Sequence, residues 1–245
     1  MPVLVETSSF VSELVLANSS ASPGTFTLTY TEGLSPASGP GGSAPVVVPP
    51  HTQRIIPNAI AYLRTLGIGV GAPGGSYAGS LNVSVSGAAP GQIYAGARTA
   101  SPSPAGGQFG LFTPAFFSGT EATSTAYLYG LHADANNRSN VAAVNIATNP
   151  EAGSVTLLVE AFDGNAGSAL RGSMTAPKGS TSVTLAPGQW MQLSGFLGAQ
   201  GVANGWVRVT RTAGTAPWIA YGVVNDGGAP GHRTGDGAYV PMEIP

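Results

Sequence analysis

Hydrophobic and polar residues alternate along much of this 245-residue chain. Phe26, Leu28 and Tyr30 alternate with threonines, and residues 207–210 repeat the pattern. A period of two is typical of strands that turn one face to a core and the other to water. Pairs such as Pro-Gly, Asp-Gly and Gly-Gly punctuate these runs about every 8–15 residues, where turns are expected. The runs predict about seven strands in each half, the number typical of an immunoglobulin-like sandwich.

One segment has a helical period instead. Ile60, Leu63 and Leu66 recur at helical spacing, with Pro57 at a favourable start and Gly67 at a favourable stop. We therefore predict a short helix near 57–66 whose apolar stripe closes one end of the first sandwich. The corresponding glycine-rich stretch at 195–201 predicts a single turn or irregular structure.

Three blocks of residues recur in the same order, which predicts a diverged tandem repeat. The matches are 14–18 with 144–148, followed by Gly24 with Gly153; 46–50 with 183–187; and 81–83 with 207–209, continuing to Ile93 and Gly96 with Ile219 and Gly222. Ser118-Gly119-Thr120 is typical of a linker, so the predicted domains are 1–118 and 119–245. The predicted fold class is all-β, with two tandem immunoglobulin-like antiparallel β-sandwiches and one short helix.

Composition excludes several classes of function. Only nine Lys+Arg residues are scattered along the chain, too few for the basic face that nucleic acid requires. The 36 glycines and 20 prolines exclude a helix bundle. No apolar run reaches the ~18 residues of a spanning helix, so we expect no membrane insertion. The absence of cysteine removes thiol catalysis, thiolate metal sites and disulfides.

The beginning of the chain, residues 1–6, has neither the basic nor the apolar region of a signal peptide. A Thr/Ser/Gly/Ala/Asn-rich chain with one lysine, Lys178, favours a mature segment of an extracellular or cell-surface protein over a cytosolic one.

The second half resembles the small β-sandwich modules found in tandem in large secreted and cell-surface bacterial proteins. The resembling segments are 138–141, 149–150, 185–189, 220–226, 235–236 and 239–241. The first half matches more loosely: residues 9–11 replace the Arg138-Ser139-Asn140-Val141 run, and 109–114 stand for the final strand. The resemblance implies an extracellular module for adhesion, spacing or assembly, without catalytic residues or cofactors.

Few residues form patterns typical of chemistry. His51, His132 and His232 are isolated in sequence, and no Gly-x-Ser-x-Gly elbow is present, so we predict no enzyme. The oxygen-rich run with Asp134 and Asn136 is interpreted as a tight turn. A calcium site completed by Asp226 or Asp236 is the alternative.

All three tryptophans lie in the second half. Trp190, Trp206 and Trp218, together with Tyr221, are interpreted as core or interface residues. The alternative is an exposed aromatic row that stacks on sugars, as in a carbohydrate-binding accessory module of a secreted enzyme.

The low charge, 8% of residues, suggests that part of the surface is covered by other copies of the protein or by other surface proteins. Burying such a surface orders few long charged side chains. Strand edges such as Val3-Leu4-Val5 lack lysine guards and are predicted to pair with another subunit. The leading hypothesis is thus a non-enzymatic extracellular structural or adhesive subunit that self-associates as a homo-oligomer through sandwich faces or edges. Glycans are the alternative partner.

Overall fold

The chain folds into antiparallel β-sheets, in a computed structural model that describes residues 1–34, 40–103, 106–165, 176–228 and 233–245. The first eight strands are β1 Leu4–Glu6, β2 Val11–Asn18, β3 Gly24–Glu32, β4 Pro40–Val48, β5 Thr52–Ile56, β6 Tyr77–Ser86, β7 Ile93–Pro102 and β8 Gln108–Pro114. The next eight are β9 Thr125–His132, β10 Asn137–Asn145, β11 Val155–Asp163, β12 Gly179–Leu185, β13 Trp190–Leu193, β14 Asn204–Ala213, β15 Trp218–Asp226 and β16 Gly237–Pro241.

The prediction of an all-β fold is confirmed. Helix α1 spans Ala59–Thr65 and helix α2 spans Phe196–Ala199, with single 3₁₀ turns at Pro90–Gln92 and Pro150–Ala152. Among the described residues, no helix is long and apolar enough to cross a membrane.

Two compact units divide the chain. The first comprises Met1–Gly119 with Gly188–Trp190, and the second comprises Thr120–Pro187 with Met191–Pro245.

The first unit contains one eight-stranded sheet that folds around its own core. Its strand order is β4-β3-β6-β1-β2-β7-β8, and β5 also pairs with β2. Alternate side chains of its strands, together with Ile60 and Leu63 of α1, form the core. Leu14, Leu16, Phe26 and Leu28 within it are fully buried, as their period of two predicts.

The second unit is a sandwich of two four-stranded sheets. One has the order β13-β10-β15-β16 and the other β12-β11-β14-β9. Both sheets contribute side chains to a single core, which includes Val141, Leu157, Val209 and Trp218.

Both units share a single strand order. In each, the first, third, fourth and sixth strands lie in one row, and the second, fifth, seventh and eighth in another. In the first unit β1 joins the two rows through the pair Glu6↔Val11. Constant-type immunoglobulin domains have the same two-layer architecture, but they place the first strand beside the second.

A buried serine occupies the same position in each unit. Ser12 Oγ accepts a hydrogen bond from Val5 N (2.8 Å), and Ser139 Oγ accepts one from His132 N (2.8 Å). Both serines are 0% exposed. Each hydroxyl joins the second strand of its unit to the first, so the shared order extends to individual polar contacts.

Strand register corrects three of the sequence matches. The equivalent contacts of Ser12 and Ser139 show that residues 14–18 correspond to 141–145 and not to 144–148. Leu14 pairs with Ala97 and Val141 with Gly222, so Ala97 then corresponds to Gly222. Gly96 therefore corresponds to Tyr221 and not to Gly222. Gly24 pairs with Val48, and Val155 pairs with Leu185. Because Val48 and Leu185 are equivalent in the match of 46–50 with 183–187, Gly24 corresponds to Val155 and not to Gly153.

The predicted helix forms close to its expected bounds. Asn58 caps α1 by accepting a hydrogen bond from Ala61 N at Oδ1 (2.9 Å), and Gly67 follows the helix with φ of +80°. These are favourable residues for the two ends of a helix. The glycine-rich counterpart forms only the single turn of α2.

Candidate functional site

The strand predicted as a free edge is not at an edge. Leu4, Val5 and Glu6 in β1 pair with Gly79, Ala78 and Tyr77 in β6, and the other side of β1 meets β2. Val3 and Leu4 are buried at 8% and 0% exposure. This corrects the prediction that Val3-Leu4-Val5 is a free edge: β6 pairs with one side of β1, and on the other side Val5 N donates to Ser12 Oγ and Glu6 pairs with Val11.

The aromatic residues that the alternative interpretation takes as an exposed row are buried. Trp190, Trp206, Trp218 and Tyr221 are 7%, 6%, 0% and 1% exposed. Trp218 belongs to the core of the second unit, and the Tyr221 ring stacks on that of Tyr239 at 5.5 Å. The interpretation of these side chains as a sugar-stacking row is wrong, since a ring buried to this extent offers no face to a ligand.

Asp134 forms a tight turn. Its Oδ1 accepts hydrogen bonds from Asn136 N (2.7 Å), Asn137 N (2.8 Å) and Asn137 Nδ2 (3.2 Å). These bonds favour the ionised carboxylate and lower the pKa of Asp134, with the bond from Asn136 the largest cause.

Asp226 binds Arg233 and Thr234, which precede β16. It accepts hydrogen bonds from the Thr234 hydroxyl at Oδ2 (2.6 Å) and from Arg233 at Oδ1 (3.2 Å), which lower its pKa. Asp236 N in turn donates to the Thr234 hydroxyl. No group of three or more His, Asp or Glu side chains able to hold a metal occurs among the described residues, which do not include His232.

An exposed apolar surface covers the outer side of β5, β2, β7 and β8 in the first unit. We define this apolar face by the exposed Val11, Ile55, Tyr94 and Phe112, with the buried Val15 between them. Register aligns Val15 with Ile55 on one side and with Gly96 on the other, on the side of the sheet opposite the Leu14 and Leu16 positions.

Large side chains are unusually accessible on the apolar face. Ile55 is 54% exposed, Phe112 42%, Tyr94 39% and Val11 36%. Single exposed apolar residues are ordinary, but several on one regular sheet form a patch of the kind that mediates binding.

Tyr94 and Phe112 form the aromatic part of this face. Their rings are parallel within 7°, with centroids 6.4 Å apart. Both rings extend over Gly96, where an added Cβ would lie 2.4 Å from Phe112 Cζ and 2.8 Å from the Tyr94 hydroxyl oxygen. Only glycine allows the rings to lie this close to the strand.

A shallow depression adjoins the rings. Glu13, Arg98 and Gln108 line it together with Val11, Pro57 and Ala100. Glu13 and Arg98 are direct cross-strand partners, and Arg98 Nη1 donates to Gln108 Oε1 (3.0 Å). Glu13 forms no ion pair within the ranges that the structure describes.

A second aromatic cluster lies on the outer side of β9, β14 and β11 in the second unit. The Tyr127 and Tyr129 rings are parallel within 5°, at 5.9 Å, and each contacts Trp206 at about 6 Å. Trp206 stacks on Phe162 at 4.1 Å. The two tyrosines are half-buried, while Trp206 and Phe162 are buried beside them.

An ion pair borders this second cluster. Arg208 Nε donates to Glu160 Oε2 (2.8 Å), and the guanidinium lies 5.2 Å from the Phe162 ring centroid. The hydrogen bond to Glu160 raises the pKa of Arg208. The Glu160 side chain is 10% exposed and that of Arg208 38%, so the arginine is the part that a ligand could reach.

Sequence reasoning missed the apolar face. Its residues come from four strands that are distant in sequence, and Leu14-Val15-Leu16 is apolar on both sides of β2. Glycine between Tyr94 and Arg98 in a strand is a usable signal, since glycine in a strand often marks a close approach.

Comparison of the chain with protein-family models, with curated proteins and with solved structures found no match. The functional conclusion therefore depends on the residues and geometry described above.

Proposed function

We propose that this protein is a non-enzymatic, extracellular structural or adhesive subunit that self-associates. Tandem immunoglobulin-like modules of secreted and cell-surface bacterial proteins are the proposed relatives, on the two-layer architecture and the segments named above. The observation that carries the proposal is the apolar face of the first unit.

The chemistry of the face favours a protein partner. Aromatic side chains are enriched in the buried centres of protein interfaces, where they bury a large area at low entropic cost. Exposed Ile55, Tyr94 and Phe112 lose contact with water when such an interface forms. At about 25 cal/mol per Å² of apolar surface, covering three such side chains contributes a favourable term of several kcal/mol.

The low charge supports the same conclusion. Only Glu13 and Arg98 carry charge among the residues that line the face and its depression, and their charges cancel. A nearly neutral surface brings little repulsion between identical copies at neutral pH.

Sedimentation velocity of the full chain over a wide concentration range tests this proposal. We expect the sedimentation coefficient to rise with concentration for the wild type, and Ile55→Ser to abolish the rise. Val47→Ser is the matched control, because Val47 on β4 is equally exposed, at 54%, but lies outside the apolar face. Wild-type protein that stays monomeric at every concentration would contradict self-association.

Glycan binding is the second candidate function, favoured by the Tyr127–Tyr129 pair. Two parallel, half-buried rings on a sheet give a ligand an apolar surface, and the hydroxyls and Arg208 supply polar groups beside it. A glycan array followed by calorimetry tests it: Tyr129→Ala should abolish any binding that Tyr62→Ala retains. An array without a bound glycan would argue against this candidate.

A further inference from the structure

We infer that the apolar face binds the same face of a second copy of this chain, in a two-fold symmetric pair in which Glu13 of each copy meets Arg98 of the other. This inference rests on the proposed self-association and specifies its geometry.

Strand order gives the face an approximate internal symmetry. β2 and β7 are its central strands, β5 flanks β2, and β8 flanks β7. A two-fold axis parallel to the strands and between β2 and β7 therefore places β2 over β7 of the second copy. The same rotation brings β5 beside β8 of the second copy, and these two strands overlap at one end, where Ile55 and Ile56 share the register of Pro114 and Thr113.

Side chains complement one another under this rotation. Ile55 on β5 shares the register of Pro114, so it comes to lie over the end of β8 of the second copy, two residues from Phe112. Val15 pairs with Gly96 within the chain, and the Tyr94 and Phe112 rings cover Gly96. In the dimer this ring pair of one copy therefore lies opposite Val15 of the other.

Charge complementarity identifies a second copy as the occupant. Glu13 and Arg98 are cross-strand partners on β2 and β7, so rotation between these strands sets the acid of each copy over the base of the other. The dimer gains two equivalent ion pairs. A partner with one sign of charge would satisfy only one of the two residues, whereas an identical copy satisfies both.

The size of the face fits reversible pairing. The central strands β2 and β7 overlap along about eight residues and the outer strands only at their ends, so pairing buries less than the roughly 1,000 Å² of a specific interface. We therefore expect a weak dimer that dissociates on dilution.

Charge-reversal variants, measured alone and as a mixture, test the inference. Glu13→Arg and Arg98→Glu should each weaken dimerisation at least tenfold in sedimentation equilibrium, because each variant places like charges opposite one another twice. An equimolar mixture should recover association to within about threefold of the wild type. In that heterodimer one interface position pairs Arg with Glu from the variant chains, and the other pairs wild-type Arg98 with wild-type Glu13.

The possible outcomes separate this inference from the proposed function. If Ile55→Ser abolishes association but the mixture stays monomeric, self-association through the face stands and the two-fold arrangement is overturned. If Ile55→Ser has no effect, or the wild type does not associate, both are overturned.

Neutral variants provide a second test that needs no charge reversal. Glu13→Gln and Arg98→Gln should each weaken dimerisation, and the double variant should lose less than the product of the two effects, because both changes remove the same ion pairs. Effects that multiply fully would overturn the pairing. Circular dichroism and thermal melting establish that each variant is folded.

Discussion

Asn18 and Asn145 make the same hydrogen bonds in the two units. Asn18 Nδ2 donates to Val48 O (3.1 Å), and Asn145 Nδ2 donates to Leu185 O (3.0 Å). Each Oδ1 accepts a backbone N–H two residues along the chain, at 3.0 Å. The exposures are 1% and 0%, so each amide replaces water for backbone groups at the end of the second and fourth strands.

Replacing this asparagine should therefore destabilise its unit strongly. We expect Asn18→Ala to lower the free energy of unfolding of the first unit by about 2–4 kcal/mol, since buried carbonyls lose their donors. Urea unfolding measures the change, with the exposed Asn82→Ala as the control. Equal losses in the two variants would contradict the role assigned to Asn18.

A buried ion pair fixes α1 against β1. Arg64 Nη2 donates to Glu6 Oε1 (2.7 Å) and Nη1 to Oε2 (3.0 Å), with side chains 15% and 12% exposed. Arg64→Met leaves the Glu6 charge without its partner, and we expect a loss of about 3 kcal/mol. Glu6→Gln in the same chain should recover part of that loss.

An exposed pair provides the contrast. Arg233 and Asp226 are 3.2 Å apart, with side chains 55% and 34% exposed. We expect Arg233→Met to change the unfolding free energy by less than about 1 kcal/mol, because solvent screens such pairs. A loss as large as that of Arg64→Met would show that burial does not determine the contribution of these ion pairs.

Gly96 keeps the aromatic rings close to the sheet. We expect Gly96→Ala to displace the Phe112 ring, to weaken association severalfold, and to cost about 1–2 kcal/mol of stability through crowding. Gly91→Ala is the matched control, because an added Cβ there meets nothing within 4 Å. Association that is unchanged by Gly96→Ala would exclude the ring pair from the interface.

Acid should weaken the two aspartate turns. The pKa values of Asp134 and Asp226 lie below the ordinary value of 3.8, so both turns are stabilised above that pH. The stabilisation is lost as the pH falls through the lowered pKa of each folded-state carboxyl. Carboxyl carbon-13 titration measures both values, and a midpoint at or above 3.8 for either residue would contradict the hydrogen bonding described.

Alternation and turn residues predicted the fold class, because a strand with one buried face needs a period of two. They could not determine register between the halves, since a run such as Leu14-Val15-Leu16 is apolar at consecutive positions and still matches after a slip of three residues. The polar positions determine it: Ser12 and Asn18 have the same spacing as Ser139 and Asn145. These buried polar residues are the signal that comparison of apolar runs overlooked.

The candidate site was less predictable. Whether β1 is an edge depends on which strands flank it, and those come from distant parts of the sequence. The sequence predicted a binding role for tryptophans, which are buried, whereas the rings exposed on the apolar face belong to Tyr94 and Phe112. Exposure is a property of the folded sheet, so residue type alone could not identify the apolar face.

Hydroxyl-radical footprinting of the wild-type chain at low and high concentration shows whether the apolar face becomes covered on association. Oxidation of Ile55, Tyr94 and Phe112 should fall at high concentration, while oxidation of the equally exposed Val47 should stay constant. Equal oxidation of the apolar face at both concentrations, in a sample that sedimentation shows to be associated, would contradict the account.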